Sequence, residues 1–215
     1  MKWIISLVVV AAAVYFFVQA QVPAHDAHTI AQMQQNPYNR QAIDKAISMV
    51  HTGDIVVRTG NDMTSYMFCR ANRRDHTYSH CGIVSVENGY PFVYHSIGGE
   101  DNPDEVLRRD SLNFWLSPAH NTGFGIRRTL FNPAQIDTML QVAQSYYRQQ
   151  KKFDLDFDIQ NDDKLYCAEL LYRAMNRAAA DSNYISPTHS AGYTYVAVDN
   201  ITAAPGSWVW QITYK

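Results

Sequence analysis

Three side chains of this 215-residue chain have the types and spacing for nucleophilic chemistry: His80, His95 and Cys167. The two histidines are related by a hairpin signal. Asn88-Gly89 lies between the apolar runs Ser79–Val86 and Pro91–Ile97, and Asn-Gly suits a two-residue turn that needs positive φ at both positions. With those two residues in the loop, Glu87 faces Tyr90, Val84 faces Val93, Gly82 faces His95 and His80 faces Ile97. Side chains alternate along a strand, so His80, Gly82, Val84, Val93 and His95 share one face. His80 and His95 are then diagonal neighbours, ~7–8 Å apart along the backbone and within reach of long side chains. Cys81 falls on the opposite face.

Cys167 stands in Asn161-Asp162-Asp163-Lys164-Leu165-Tyr166-Cys167-Ala168-Glu169-Leu170. An Asp cap followed by a helix from Leu165 to Ala180 puts the thiol in the first turns, where the positive helix end favours thiolate. The two aspartates oppose this, so activation calls for a histidine partner. Without one, a buried thiol packs as a small apolar side chain.

Other clusters carry less. His25 and His28 have no third ligand at zinc spacing. Asp154, Asp156 and Asp158 alternate as on a strand, without the Gly and Glu of an EF-hand loop. Glu169 reads as a surface or supporting residue. No metal site is expected, and no phosphate loop, dinucleotide fingerprint or Gly-x-Ser-x-Gly is present.

The elements that must hold these residues follow from hydrophobic period. Ala42, Ile43, Ala46, Ile47 and Val50 mark a helix, Ile55–Val57 a strand and Thr64–Ala71 a short helix. Gly98–Asn121 reads as a long loop with Trp115, and Ile126–Leu130 as a strand. Asn132-Pro133 starts a helix with a cap and a proline at its first position. Trp208–Ile212 reads as a last strand.

Composition limits the partners. Hydrophobic residues are 47% of the chain, enough for a core, and the net charge of −2 offers no basic excess for nucleic acid. Three cysteines are too few for a disulfide scaffold. Lys2 precedes a charge-free run from Trp3 to Val18 that ends in Val18-Gln19-Ala20, the pattern of a secretory signal. The run falls short of the ~20 residues that span hydrocarbon, so residues 1–20 are read as a signal peptide or a membrane anchor. Residues 21–37 read as a polar tether, and 38–215 as the folded domain. In an oxidising compartment Cys69 and Cys81 could pair, leaving Cys167 as the odd thiol.

Tyr78-Ser79-His80-Cys81-Gly82-Ile83-Val84, then Pro91-Phe92-Val93-Tyr94-His95, then Asp162–Leu170 resemble the permuted papain-like amidases, circularly permuted relatives of the NlpC-type cell-wall peptidases. The resemblance spans roughly Thr52 to Pro187, and the His-before-Cys order is its specific part. It implies an α+β fold in which a small antiparallel sheet or partial barrel packs against helices. It implies that Cys167 is the nucleophile, His80 the general base and His95 the residue that orients His80. The similar lecithin retinol acyltransferase group also has His at that third position, where bacterial members often have Glu. The implied activity is an exported, periplasmic or cell-envelope cysteine hydrolase, an amidase or peptidase without a cofactor. Its substrate would be a small peptide, a peptidoglycan fragment or an acyl-lipid. Acyl transfer, lipid-ester cleavage and an inactive binding module are the alternatives on the same fold. Gly82, Tyr166 and Lys164 are expected to border the substrate cleft, and the N-terminal segment to provide any membrane association.

Overall fold

A computed structural model describes residues 27–99, 102–190 and 192–215. The signal or anchor at 1–20 and the His25 half of the histidine pair lie outside those residues. The expected tether is helical where it is described. Helix α1 (Ala27–Gln35) buries Met33, and α2 (Pro37–Met49) begins at an Asn36 cap and buries Ala42, Ile43 and Ala46.

The chain then forms β1 (Ile55–Gly60), α3 (Met63–Ala71), β2 (His80–Glu87), β3 (Tyr90–His95), β4 (Arg108–Ser111), α4 (Leu112–Trp115), β5 (Asn121–Thr129) and α5 (Pro133–Arg148). It closes with α6 (Cys167–Ala179), β6 (Thr188–Ser190), β7 (Tyr193–Tyr195), α7 (Val198–Thr202) and β8 (Gly206–Thr213). Six strands form one antiparallel sheet in the order β4-β3-β2-β1-β5-β8, and β6 pairs with β7.

The hairpin register is the expected one: Val84 pairs with Val93 and Glu87 with Tyr90. Asn88 and Gly89 take φ of 50° and 83°, the left-handed conformations such a turn requires. The sheet separates two apolar layers. On one face Ile55, Val57, Cys81 and Ile83 pack against Met139 and Ala143 of α5 and Leu170, Leu171 and Ala174 of α6. On the other, Val56, Val84, Val93, Phe124 and Ile126 pack against Ile43 and Ala46 of α2 and against Trp115. The fold is therefore α+β, with an antiparallel sheet packed against helices. Among the described residues no helix is long and apolar enough to cross a membrane.

Capping at α5 follows its residues. The Asn132 side chain accepts from the Gln135 amide at 3.0 Å, and Gln135 Oε1 accepts from the Asn132 amide at 3.0 Å. The stretch expected as one long loop contains β4 and α4, because Arg108–Ser111 continues the sheet beyond β3. Asp154, Asp156 and Asp158 are not on a strand. Asp154 is buried and its carboxylate accepts from the Asp156 and Asp158 amides at 3.0 and 2.8 Å, which curls the segment into a loop.

Candidate functional site

The histidines meet as the register requires. His80 Nε2 and His95 Nδ1 are 2.9 Å apart, and the ring planes cross at 80°. Trp115 stacks on the His80 ring at 5.9 Å between centroids and presents its ring edge-on to His95. His95 is 1% exposed and His80 is 8% exposed. Burial is the main reason both rings are pulled down to about 4, and the nearby Arg58 cation acts in the same direction. Both rings are therefore neutral at pH 7 before any proton leaves the thiol.

Cys167 arrives from the other layer. The helix begins two residues later than expected: Cys167 is its first residue, and Tyr166, with φ −91° and ψ 171°, is the N-cap without a side-chain capping bond. No Asp caps it. Asp162 instead accepts from the Tyr146 hydroxyl at 2.9 Å. The thiol therefore lies at the positive end of α6 itself. The Ser96 hydroxyl donates to the Leu165 carbonyl at 2.5 Å, tying the end of β3 to the entry of α6.

The Cys81 thiol and the His80 ring both act on the Cys167 sulfur. Its thiol is held well below the ordinary range, first by the hydrogen bond from the Cys81 thiol, against burial, and then by the His80 ring and the Cys81 backbone N–H. Burial, reinforced by the Cys167 sulfur, pushes the Cys81 thiol up, so Cys81 stays protonated and donates. With Nε2 of His80 engaged by His95, the ring's Nδ1 is the nitrogen left for the sulfur. An imidazole base thus stands against the Cys167 thiol, the arrangement that makes a nucleophile from a weak acid.

Two residues of the constellation escape a reading of the sequence. Asp110 Oδ2 is 3.0 Å from His95 Nε2, and Asp110 Oδ1 accepts from Arg108 at 2.8 Å. Burial alone would raise Asp110, but His95 and Arg108 hold it down to about 2. Cys81 is the other. It does lie on the face opposite the histidines, yet that is the face from which α6 delivers Cys167. The signal for Asp110 is the strand at 108–111: in register Asp110 pairs with Val93 and Arg108 with His95, on the histidine face.

The remaining expectations divide. A Cβ on Gly82 would collide with Val93 Cγ1 and lie 3.2 Å from His95 Cβ. Glycine there makes room for the facing strand and its histidine, not for substrate or helix. Tyr166 does line a cavity, and its buried hydroxyl accepts from the Val196 amide at 2.8 Å. Lys164 is exposed and borders a separate groove with Lys151, Lys152 and Asp163. Glu169 is fully buried rather than on the surface, bonded to Arg173 at 2.8 Å, and burial raises it to about 7. All three cysteines are free thiols, including Cys69 and Cys81.

Cys167 opens into a cavity of about 430 Å³ between α3, the 153–157 loop and the β6–β7 hairpin. Its walls are aromatic: Phe157 meets Phe68 at 5.4 Å, Phe153 at 6.0 Å and Tyr166 at 5.2 Å. Asn72, Ser79, Asp156, Ser190 and Thr194 are its polar lining residues besides the tyrosines.

Comparison with known proteins finds a likeness to YiiX. No family model matches the chain. The chain is 25% identical over 129 residues to "Uncharacterized protein YiiX" of Escherichia coli strain K12, a match covering 59% of this chain. It spans 58% of the length of that curated relative. The crystal structure of "metalloprotein yiiX" from Escherichia coli O157:H7 superimposes with a TM-score of 0.61 at 20% identity, covering 76% of this chain and 98% of that one. The chain therefore shares its fold with YiiX.

Proposed function

We propose that the protein is a cysteine hydrolase of the permuted papain-like kind, acting on an acyl carbon. The observation that carries this reading is the convergence of Cys167, His80 and His95, distant in sequence, at the start of α6. The order of sheet-borne histidines before a helix-borne cysteine supports the permuted papain-like assignment.

The chemistry follows from the contacts. His80 takes the Cys167 proton, and the thiolate attacks the acyl carbon. The carbonyl oxygen gains charge as the tetrahedral adduct forms. The Cys167 backbone N–H, one of the unpaired donors of a helix start, is available to it. His80 then gives its proton to the leaving group, the adduct collapses to a thioester, and water on the same path regenerates the thiol. His95 holds the His80 ring throughout.

The cavity bears on the substrate. An aromatic pocket at the nucleophile suits an apolar acyl group better than a charged muropeptide, which favours the lipid-ester or acyl-transfer reading over cell-wall peptide cleavage. Export, with residues 1–20 as signal or anchor, remains the proposal of the N-terminal sequence. The solved YiiX protein is named for a metal. Among the described residues no group of three or more His, Cys, Asp or Glu is placed to hold one.

The test compares wild type with Cys167→Ala on acyl esters of increasing chain length and on muropeptides, with mass spectrometry of the protein. Wild type is expected to form a thioester at Cys167 and to prefer the longer acyl esters. Undiminished turnover by a folded Cys167→Ala protein refutes the mechanism.

A further inference from the structure

We propose that Asp110 is a positioning residue that dictates which nitrogen of each histidine carries the proton, and so delivers a free base to Cys167. This rests on the nucleophile assignment above. Two imidazoles joined by one hydrogen bond can carry their protons in either of two directions, and the pair itself gives no reason to choose. A carboxylate at one end breaks the tie, because it only accepts.

The chain of donors can be followed atom by atom. Asp110 Oδ2 lies 3.0 Å from His95 Nε2, so that nitrogen bears the hydrogen. A neutral ring carries one N–H, which leaves His95 Nδ1 bare and able only to accept. His80 Nε2, 2.9 Å away, must therefore donate. His80 Nδ1 is left bare, and with Nε2 taken by His95 it is the nitrogen that remains for Cys167. When the thiol ionises, its S–H bond breaks and an N–H bond forms at His80 Nδ1. The hydrogen bonds to His95 and Asp110 keep their direction, no ring rotates, and Asp110 stays ionised.

The reversed direction is unproductive. A hydrogen on His95 Nδ1 would require His80 Nε2 to accept, and His80 would then hold its hydrogen on Nδ1, against the sulfur it must deprotonate. The charges around the pair make the carboxylate more necessary. Arg58 from β1 and Arg108 from β4 both disfavour protonated rings. His120 lines a small cavity of about 50 Å³ together with Arg58, His95, Arg108 and Asp110, and Cys167 faces His80 from α6. Asp110 is the anion that touches the pair from the side away from the thiol. Its geometry is itself built in: Arg108 holds the other oxygen through Nε at 3.2 Å and Nη2 at 2.8 Å, and β4 is in register with β3 across Val93–Asp110 and His95–Arg108.

The substitution Asp110→Asn should reverse the chain rather than merely weaken it. Arg108 only donates and so claims the amide oxygen, which turns the amide N–H₂ toward His95 Nε2. That nitrogen must then accept. Two measurements on the full-length protein test the proposal. Nitrogen-15 NMR of the histidine rings at pH 7.5 is expected to find both His80 and His95 as Nε2–H tautomers in wild type. His95 as the Nδ1–H form overturns the proposal without any variant having to fold. The second reads the rate of iodoacetamide alkylation of Cys167 against pH. Asp110→Asn should move the profile upward by about one unit or more, which lowers the rate about tenfold or more at pH values below the wild-type midpoint, since one unit of thiol pKa is tenfold in thiolate. Asp110→Glu, which keeps the charge, should recover most of that loss. A folded Asp110→Asn protein whose profile superimposes on wild type also overturns it. Wild-type Cys167 that is unreactive at pH 6 counts instead against the nucleophile assignment, and the tautomer measurement still decides the role of Asp110.

Discussion

The contact between two thiols makes a quantitative expectation. In Cys81→Ala the Cys167 sulfur loses the side-chain donor that does most to hold its pKa down. A hydrogen bond to an ionised group contributes about 1.5–3 kcal/mol. At about 1.4 kcal/mol per pKa unit, Cys167 should rise by about one to two units. The Cys81 backbone N–H and the His80 ring remain in place, so the lower figure is the expected one. At pH values below the wild-type pKa the thiolate fraction, and with it the alkylation rate, should fall about tenfold. Cys81→Ser keeps an O–H donor at the same position and should recover most of that rate. The assay is iodoacetamide labelling from pH 5 to 9, followed by mass spectrometry. Cys69, pushed up to about 11 by burial, stays nearly silent over that range. A Cys81→Ala profile that coincides with wild type, in a protein that melts cooperatively, refutes the idea that one thiol activates the other.

Other outcomes follow from the same geometry. Gly82→Ala drives a methyl group into Val93 and toward His95, so it should destabilise by about 1–3 kcal/mol and change the ring NMR signals of His80 and His95; a melt equal to wild type goes against this. Acidification should unfold the protein through the histidines. Their folded values lie near 4, below the unfolded ~6.5, so the native state binds fewer protons and stability falls as pH drops from about 6.5 to 4. Glu169 has the opposite sign: its folded value near 7 exceeds the unfolded one, so its contribution is lost as pH rises from about 4.5 to 7, and Glu169→Gln should flatten that limb in thermal melts. Asp54 is 1% exposed and accepts from Arg128 Nε and Nη2 at 2.9 Å and from the His51 amide at 2.8 Å. Arg128→Ala leaves it buried beside one remaining partner and should cost about 2 kcal/mol in denaturant titration; a loss below about 0.5 kcal/mol counts against the pair.

How far the site was legible depends on the range of the interactions that build it. The histidine pair was readable because a β-hairpin is local: Asn88-Gly89 sets the turn, the turn sets the register, and the register sets the face. Nothing beyond Ser79–Ile97 is needed to bring His80 to His95. The start of α6 was misread by two residues for a related reason. Asp162 and Asp163 look like caps in isolation, but the Tyr146 hydroxyl from α5 draws Asp162 away, and the tie from Ser96 to Leu165 holds the segment extended up to Tyr166. Both partners come from distant elements, and no local pattern announces them.

Cys81 and Asp110 make the same point from opposite sides of the sheet. Alternation put Cys81 on the face away from the rings, and it joins the site because α6 packs on that face and begins near the start of β2, where His80 and Cys81 stand. Asp110 needed a strand to be recognised in Arg108-Arg109-Asp110-Ser111, four polar residues without an apolar period. Such a segment joins the sheet because β3 offers it an unpaired edge and because Arg109 and Arg108 find Glu87 and Asp110 as partners. Hydrophobic patterning therefore predicts the strands that make the core, whereas an edge strand held by backbone pairing and charge carries the residue that orients the histidines. The same division explains why the nucleophile and its base are marked by residue type, while the groups that tune them are marked only by position in the folded chain.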